Sequence, residues 1–221
     1  LFEMGKVYIP KSLPLTELPD EKSMLTIGMY GEDVDFYTIK GICEELFIVL
    51  GMSDKVEWSP SSELTYMHPG RLALVSAEGK QLGFVGEVHP DTAAKYDIGT
   101  KVYTAVLDID VLVENTSFDK TFKPLPKFPA VQRDIAMLVD DSVIVKDIES
   151  IIKEKGGTLL ESVQLFDVYK GKQIKEGYKS VAYNISFRAQ DRTLTDEEVN
   201  APMNKIVAEL EAKLGAQLRD K

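Results

Sequence analysis

The sequence predicts an α+β chain of two units, each built on an antiparallel sheet, and three observations carry that expectation. Apolar residues switch repeatedly between the alternation of half-buried strands and the three-to-four spacing of amphipathic helices. The densest proline stretch, Lys123-Pro124-Leu125-Pro126-Lys127-Phe128-Pro129, falls near the middle of the chain. Prolines there stiffen a connection and block helix and sheet continuation. The 221 residues also suffice for a core on each side of that stretch, since a typical domain takes about 100 to 200. The expected organisation is a first unit over 1–118, a connection over 119–128 and a second unit over 129–221.

In the first unit, Met24 to Gly31 has strand character. Asp35 to Leu50 follows as a helix, with Phe36, Ile39, Ile42 or Cys43, Leu46, Phe47 and Leu50 on one side and Gly51 closing it. Arg71 to Ala77 and Leu82 to Val88 flank the turn-forming Glu78-Gly79-Lys80-Gln81, which predicts a hairpin. Pro90 suits the first turn of a short helix, where its missing N–H costs nothing, and Lys101 to Ile109 returns as a strand. The first residues, Leu1-Phe2-Glu3-Met4-Gly5, read as the inside of a strand with no start methionine or signal segment, so a fragment of a longer chain is expected.

In the second unit, Arg133 to Val139 alternates as a strand. Val145, Ile148, Ile151 and Ile152 mark a helix ending at Gly156-Gly157. Leu159 to Tyr169 and Tyr178 to Arg188 are long strands joined by a loop rich in Gly and Lys. Thr195 with Glu198 three residues on has capping-box form and starts a helix with Val199, Met203, Ile206, Val207, Leu210 and Leu214 inward. Pro202, beyond its first turn, costs about 3 kcal/mol or forces a kink, so a bend is expected there. Gly215 ends the helix and Ala216 to Arg219 can add a last strand. The order βαββαβ is that of a ferredoxin-like domain.

Composition narrows the function. No apolar run approaches the roughly 18 residues of a membrane span, so a soluble chain is expected. The single cysteine, Cys43, cannot form an internal disulfide or a thiolate metal site, which fits a reducing cytoplasm. The net charge of −10 argues against a nucleic-acid partner, because Lys and Arg on phosphates supply most such affinity. Its distribution removes that objection. Residues 1–118 hold 9 Lys and Arg against 19 Asp and Glu, whereas residues 119–221 hold 17 against 17. The acidic excess belongs to the first unit, and a neutral second unit can carry a local basic face.

Strand alternation says which residues face away from the helices. Ile135, Met137 and Val139 are expected inward, and Asp134, Ala136 and Leu138 outward. Phe166 and Val168 are expected in the core, with Asp167 and Tyr169 outward. Val181, Tyr183, Ile185 and Phe187 are expected inward, leaving Ser180, Ala182, Asn184, Ser186 and Arg188 exposed. Small residues, two carboxylates, one aromatic and one arginine make a floor on which flat bases can lie. An aromatic platform gives roughly 1 to 3 kcal/mol per stacked base. Asp167 can accept hydrogen bonds from the N1–H and exocyclic amine of a guanine stacked on Tyr169. The competing reading is an ordinary solvated sheet face, common on one-sided antiparallel sheets.

A resemblance favours the first. Lys127-Phe128-Pro129, Arg133-Asp134-Ile135-Ala136, Phe166-Asp167-Val168-Tyr169-Lys170-Gly171, Gly177-Tyr178-Lys179-Ser180 and Arg192-Thr193-Leu194-Thr195-Asp196-Glu197-Glu198-Val199 resemble the ferredoxin-fold anticodon-binding domain of bacterial phenylalanyl-tRNA synthetase β subunits. The resemblance implies that Asp167 contacts the first anticodon base, a guanine, that Tyr169 stacks on it, and that Ala136 and Ser180 border the remaining bases. Arg133, Lys170, Lys179, Arg188 and Arg192 are candidate phosphate contacts.

Leu1 to Gly5, Asp35 to Gly41, His68-Pro69-Gly70-Arg71 and Gly83 to Pro90 are similar to the catalytic-like module of the same subunits, a partial class II synthetase core without its chemistry. The family implies a catalytic α subunit as partner in an α2β2 heterotetramer, phenylalanine tRNA as ligand, and ATP and magnesium for the whole enzyme. No cofactor or metal is expected here, because class II sites clamp ATP phosphates with several arginines and residues 1–118 contain only Arg71. Two other classes remain open. One is a self-contained enzymatic site around His68, Arg71, Glu87 and His89; the other is a regulatory module, since ferredoxin-like folds host unrelated tasks.

Overall fold

Strands β1 (Phe2–Ile9) and β2 (Asp20–Tyr30) pair antiparallel at the start of the chain. Helix α1 (Phe36–Val49) follows, capped by Asp35, whose carboxylate accepts from the Thr38 amide at 2.8 Å while Thr38 Oγ1 accepts from the Asp35 amide. Next come β3 (Val56–Pro60), β4 (Met67–Ala77), β5 (Lys80–Val88), α2 (Pro90–Ala94), β6 (Val102–Asp108) and α3 (Ile109–Asn115). The β4–β5 hairpin turns on Glu78 and Gly79, both at positive φ, as tight turns matching strand twist require. The antiparallel sheet runs β1-β2-β6-β5-β4-β3. Ile39, Cys43 and Phe47 of α1 pack with Val75, Val85, Tyr103, Ala105 and Leu107 in one hydrophobic core. Strand β3 and helix α3 were not anticipated. The first is a short edge strand, and the second is held by Asp108, whose carboxylate accepts from the Asp110 and Val111 amides.

This computed structural model describes residues 1–119, 121–122 and 124–219. Leu1–Thr121 and Phe122–Lys221 form separate compact units. Of the predicted connection over 119–128, Lys120 and Lys123 lie outside the described residues, and the described remainder carries no helix or strand.

The second unit holds β7 (Val131–Asp140), α4 (Val145–Gly156), β8 (Leu160–Tyr169), β9 (Tyr178–Phe187), α5 (Asp196–Leu214) and β10 (Gln217–Leu218). The sheet order β10-β7-β9-β8 places the fourth strand beside the first and the third between first and second, all antiparallel. Met137, Val139, Val181, Tyr183, Ile185 and Phe187 face Ile148, Ile152, Val199, Ile206 and Leu210 of the two helices, so the core occupies one side of the sheet. The capping box of α5 forms as expected, with Glu198 N–H to Thr195 Oγ1 and Thr195 N–H to Glu198 Oε2. Gly215 takes the left-handed C-terminal position at φ 61°. Helix α5 runs on through Pro202 from Asp196 to Leu214.

Candidate nucleic-acid interface

The face of the second sheet away from α4 and α5 is ordered by β9, which runs between β7 and β8. Cross-strand register sorts it into rows. Leu138, Ser180 and Tyr169 share one; Ala136, Ala182 and Asp167 the next; Asp134, Asn184 and Gln164 a third. Paired residues of antiparallel strands have Cβ atoms about 4.5 to 5.5 Å apart. Ala136, Asp167, Tyr169 and Ser180 are therefore brought together in two adjacent rows, with the carboxylate and the aromatic ring on one edge strand and the small residues beside them.

A β-bulge makes this arrangement. Along β8, Ser162 and Gln164 pair with Ser186 and Asn184 on the open face, while Val163 and Leu165 pair with Ile185 and Tyr183 on the core face. Strict alternation would then send residues 166 and 168 to the open face. Instead the register slips between Leu165 and Asp167, Phe166 is the extra residue, and Asp167 pairs with Ala182. The inserted residue inverts the parity and aims Asp167 and Tyr169 outward. Phe166 and Val168 do not enter the core, contrary to expectation: they are 57% and 48% exposed. Phe166 lies at the bulge, and Val168, although paired with the core residue Val181, sits at the far end of an edge strand.

The exposures along β9 also differ from expectation. Ser180, Ala182 and Ser186 point to the open face but are buried, because a central strand is flanked on both sides. Ser180, at 4% exposure, is further covered by Arg219, whose Nη1 donates to its Oγ at 3.2 Å. Arg219 is held there by its own amide, which donates to the Ala136 carbonyl at 2.9 Å beyond the end of β10. Sequence reasoning missed it, since a two-residue strand gives no alternation from which to place the arginine after it. Tyr169 remains 40% exposed, Asp167 is exposed, and Ala136 is half-buried. In the third row Asn184 Nδ2 donates to Asp134 Oδ1 at 2.7 Å.

The five basic candidates all have partners. Lys170 Nζ lies 3.0 Å from Asp141, Arg192 pairs with Glu198 and Asp191, and Arg133 pairs with Asp196. Such exposed pairs are worth about 0 to 1 kcal/mol and exchange readily for a phosphate. Lys179 and Arg188 are different. Lys179 donates to the carbonyls of Asp141 and Val143, and burial, reinforced by Lys170, lowers it below the usual lysine range. Arg188 donates to the Phe128 carbonyl and to Glu161, tying the start of the unit to β9.

In the first unit, the Nδ1 atoms of His68 and His89 accept from the amides two residues on, at 3.1 Å from Gly70 and 3.2 Å from Asp91, and His89 thereby caps α2. Arg71 Nη1 lies 2.8 Å from Glu87 Oε2, and Glu87, 2% exposed, also bonds Tyr103, whose hydroxyl is pushed up by burial and by that carboxylate. The one arginine of this unit is thus held by an internal carboxylate and does not fit a triphosphate clamp. Among the described residues, no group of three or more His, Cys, Asp or Glu can hold a metal, and no helix is long and apolar enough to cross a membrane.

Residues 126–219 match the family model of the ferredoxin-fold anticodon binding domain, and residues 1–109 match that of the phenylalanyl tRNA synthetase beta chain CLM domain. Over 219 residues, 99% of this chain, it is 54% identical to a phenylalanine–tRNA ligase beta subunit of Clostridium tetani and 47% identical to one of Clostridium acetobutylicum. The corresponding subunit of Halalkalibacterium halodurans is 38% identical over 99% of the chain. The chain spans 27% of the length of the two clostridial relatives and 28% of the third.

Proposed function

The chain belongs to the family of phenylalanine–tRNA ligase beta subunits, and on that basis we propose that its second unit, from about residue 129, reads the anticodon of phenylalanine tRNA. The observation that carries this reading is the pair of adjacent rows joining Asp167 and Tyr169 on the bulged edge strand to Ala136, Ala182 and Ser180. The first anticodon base, a guanine, stacks on Tyr169. Asp167, an acceptor when ionised, takes hydrogen bonds from its N1–H and exocyclic amine. Ala136 and Ser180 border the other two bases: the small Ala136 lets a ring approach the sheet, and over Ser180 the Arg219 guanidinium lies between the hydroxyl and the base. Lys170 and Arg192 exchange carboxylates for phosphates, with Arg133 able to do the same; Lys179 and Arg188 hold the loop and the strand that present the site.

The first unit is a partial class II synthetase-like module without chemistry of its own, ending near residue 118, and it docks to the catalytic α subunit in an α2β2 ligase of the cytoplasm. Amino-acid activation with ATP and magnesium takes place on α. The engagement of Arg71 by Glu87 and of both histidines by local amides supports that division.

The test is binding of the full chain to a stem-loop carrying the phenylalanine anticodon, measured at fixed salt beside a stem-loop of equal length with an unrelated anticodon. Preference for the first is expected, and equal affinity for both would overturn the anticodon reading. Co-purification with an α subunit tests the docking role, and pyrophosphate exchange by the chain alone is expected to be absent.

A further inference from the structure

Two residues after Tyr169 stands a glycine that the backbone does not demand. Gly171 is not among the residues at positive φ, where glycine is favoured for conformational reasons. What a side chain there would meet is Tyr169: a Cβ on Gly171 would lie 2.5 Å from the ring's Cζ, 3.1 Å from Cε1, and nearer still to Oη. Real Cβ atoms do not approach that closely, so either the loop or the ring must move. The loop is fastened. The Gly171 carbonyl accepts from the Ile174 amide at 2.9 Å, and at the other end of the loop the Gly177 carbonyl accepts from the Asp141 amide at 2.9 Å. The ring, at the free end of an exposed side chain, is what gives way.

We propose that Gly171 is a positioning residue for base recognition: the space left by its missing side chain is the seat of the Tyr169 ring, and it fixes the platform on which the first anticodon base stacks. This rests on the anticodon reading above. A side chain at 171 would swing the phenol off its seat, because the three atoms nearest the new Cβ all belong to the Tyr169 side chain. The glycine therefore sets specificity at one remove, by seating the ring of the residue that pairs with Ser180 on the open face.

The experiment compares the full chain, Gly171→Ala, Tyr169→Ala and the double variant for affinity toward the phenylalanine anticodon stem-loop and for thermal midpoint, with the Gly171 Hα resonances recorded in the free protein. Gly171→Ala is expected to weaken binding on the order of tenfold, a loss within the range of one stacked base. It is expected to leave the midpoint unchanged and to have no further effect once Tyr169 is alanine. The Gly171 Hα resonances are expected to carry a ring-current shift that vanishes in Tyr169→Ala. Wild-type affinity in Gly171→Ala, an equal loss in both backgrounds, or unshifted Gly171 resonances would each overturn the proposal. Failure of the unsubstituted chain to prefer this stem-loop would instead overturn the anticodon reading, while the resonances still decide whether the ring is seated on Gly171.

Discussion

Tyr183 and Cys43 each carry an ionisable group into the core of one unit. Tyr183 is fully buried in the second core, its hydroxyl has no hydrogen-bond partner among the described residues, and burial pushes its ionisation well above the ordinary phenol range. Leaving such a group unsatisfied costs about 1 to 3 kcal/mol. Tyr183→Phe is accordingly expected to keep or raise stability, by up to about 1 kcal/mol, in denaturant titration; a loss of that size would mean that the hydroxyl has a partner. Cys43, buried in the first core, has its thiol pushed up to about 12 by burial against an ordinary value of 9.0. Since the folded value is raised, its contribution to stability is complete below the unfolded value and is lost as pH rises from about 9 toward 12. At pH 8 the folded thiol is expected to resist iodoacetamide and to react only on unfolding; modification of the native protein at the rate of an exposed thiol would contradict its burial.

The bulge at Phe166 is the element on which the site depends. It converts an edge strand whose earlier residues alternate in one phase into one that presents Asp167 and Tyr169 outward. Deleting Phe166 makes the pairing uninterrupted and leaves Asp167 opposite Ala182 and Tyr169 opposite Ser180, both still outward. The deletion variant is expected to keep both its far-ultraviolet circular dichroism and its preference for the phenylalanine anticodon stem-loop; loss of binding to the level of an unrelated RNA would show that the phase of Asp167 and Tyr169 is not set by this register. Most elements were legible in the sequence because each carries a periodic signal and a local stop: the α1 stripe with Gly51, the Thr195 capping box, Gly215, the hairpin at Glu78-Gly79. The bulge left no such signal. Phe166 and Val168 are as apolar as core residues, and apolarity alone assigned them inward, whereas only the cross-strand register reveals the inserted residue and their exposure. Arg219 was hidden for a related reason, because its position comes from pairing with β7 rather than from any pattern in its own segment.

At the scale of the whole molecule, the two units divide the charge unequally. Each has its own core, and the acidic excess lies before residue 119. Residues 122–221 produced alone are expected to fold and to bind the phenylalanine anticodon stem-loop at least as tightly as the full chain, since removing the acidic unit relieves repulsion from phosphate. Loss of binding on removal of the first unit would place part of the site there. A double-substitution cycle then tests base recognition directly: the chain and its Tyr169→Ala variant, each against the phenylalanine anticodon stem-loop and the same loop with its first guanine replaced by adenine. Both single changes are expected to weaken binding, Tyr169→Ala by roughly 1 to 3 kcal/mol, and together to cost less than their sum. Strictly additive losses, or a chain indifferent to the guanine, would contradict recognition of that base on Tyr169.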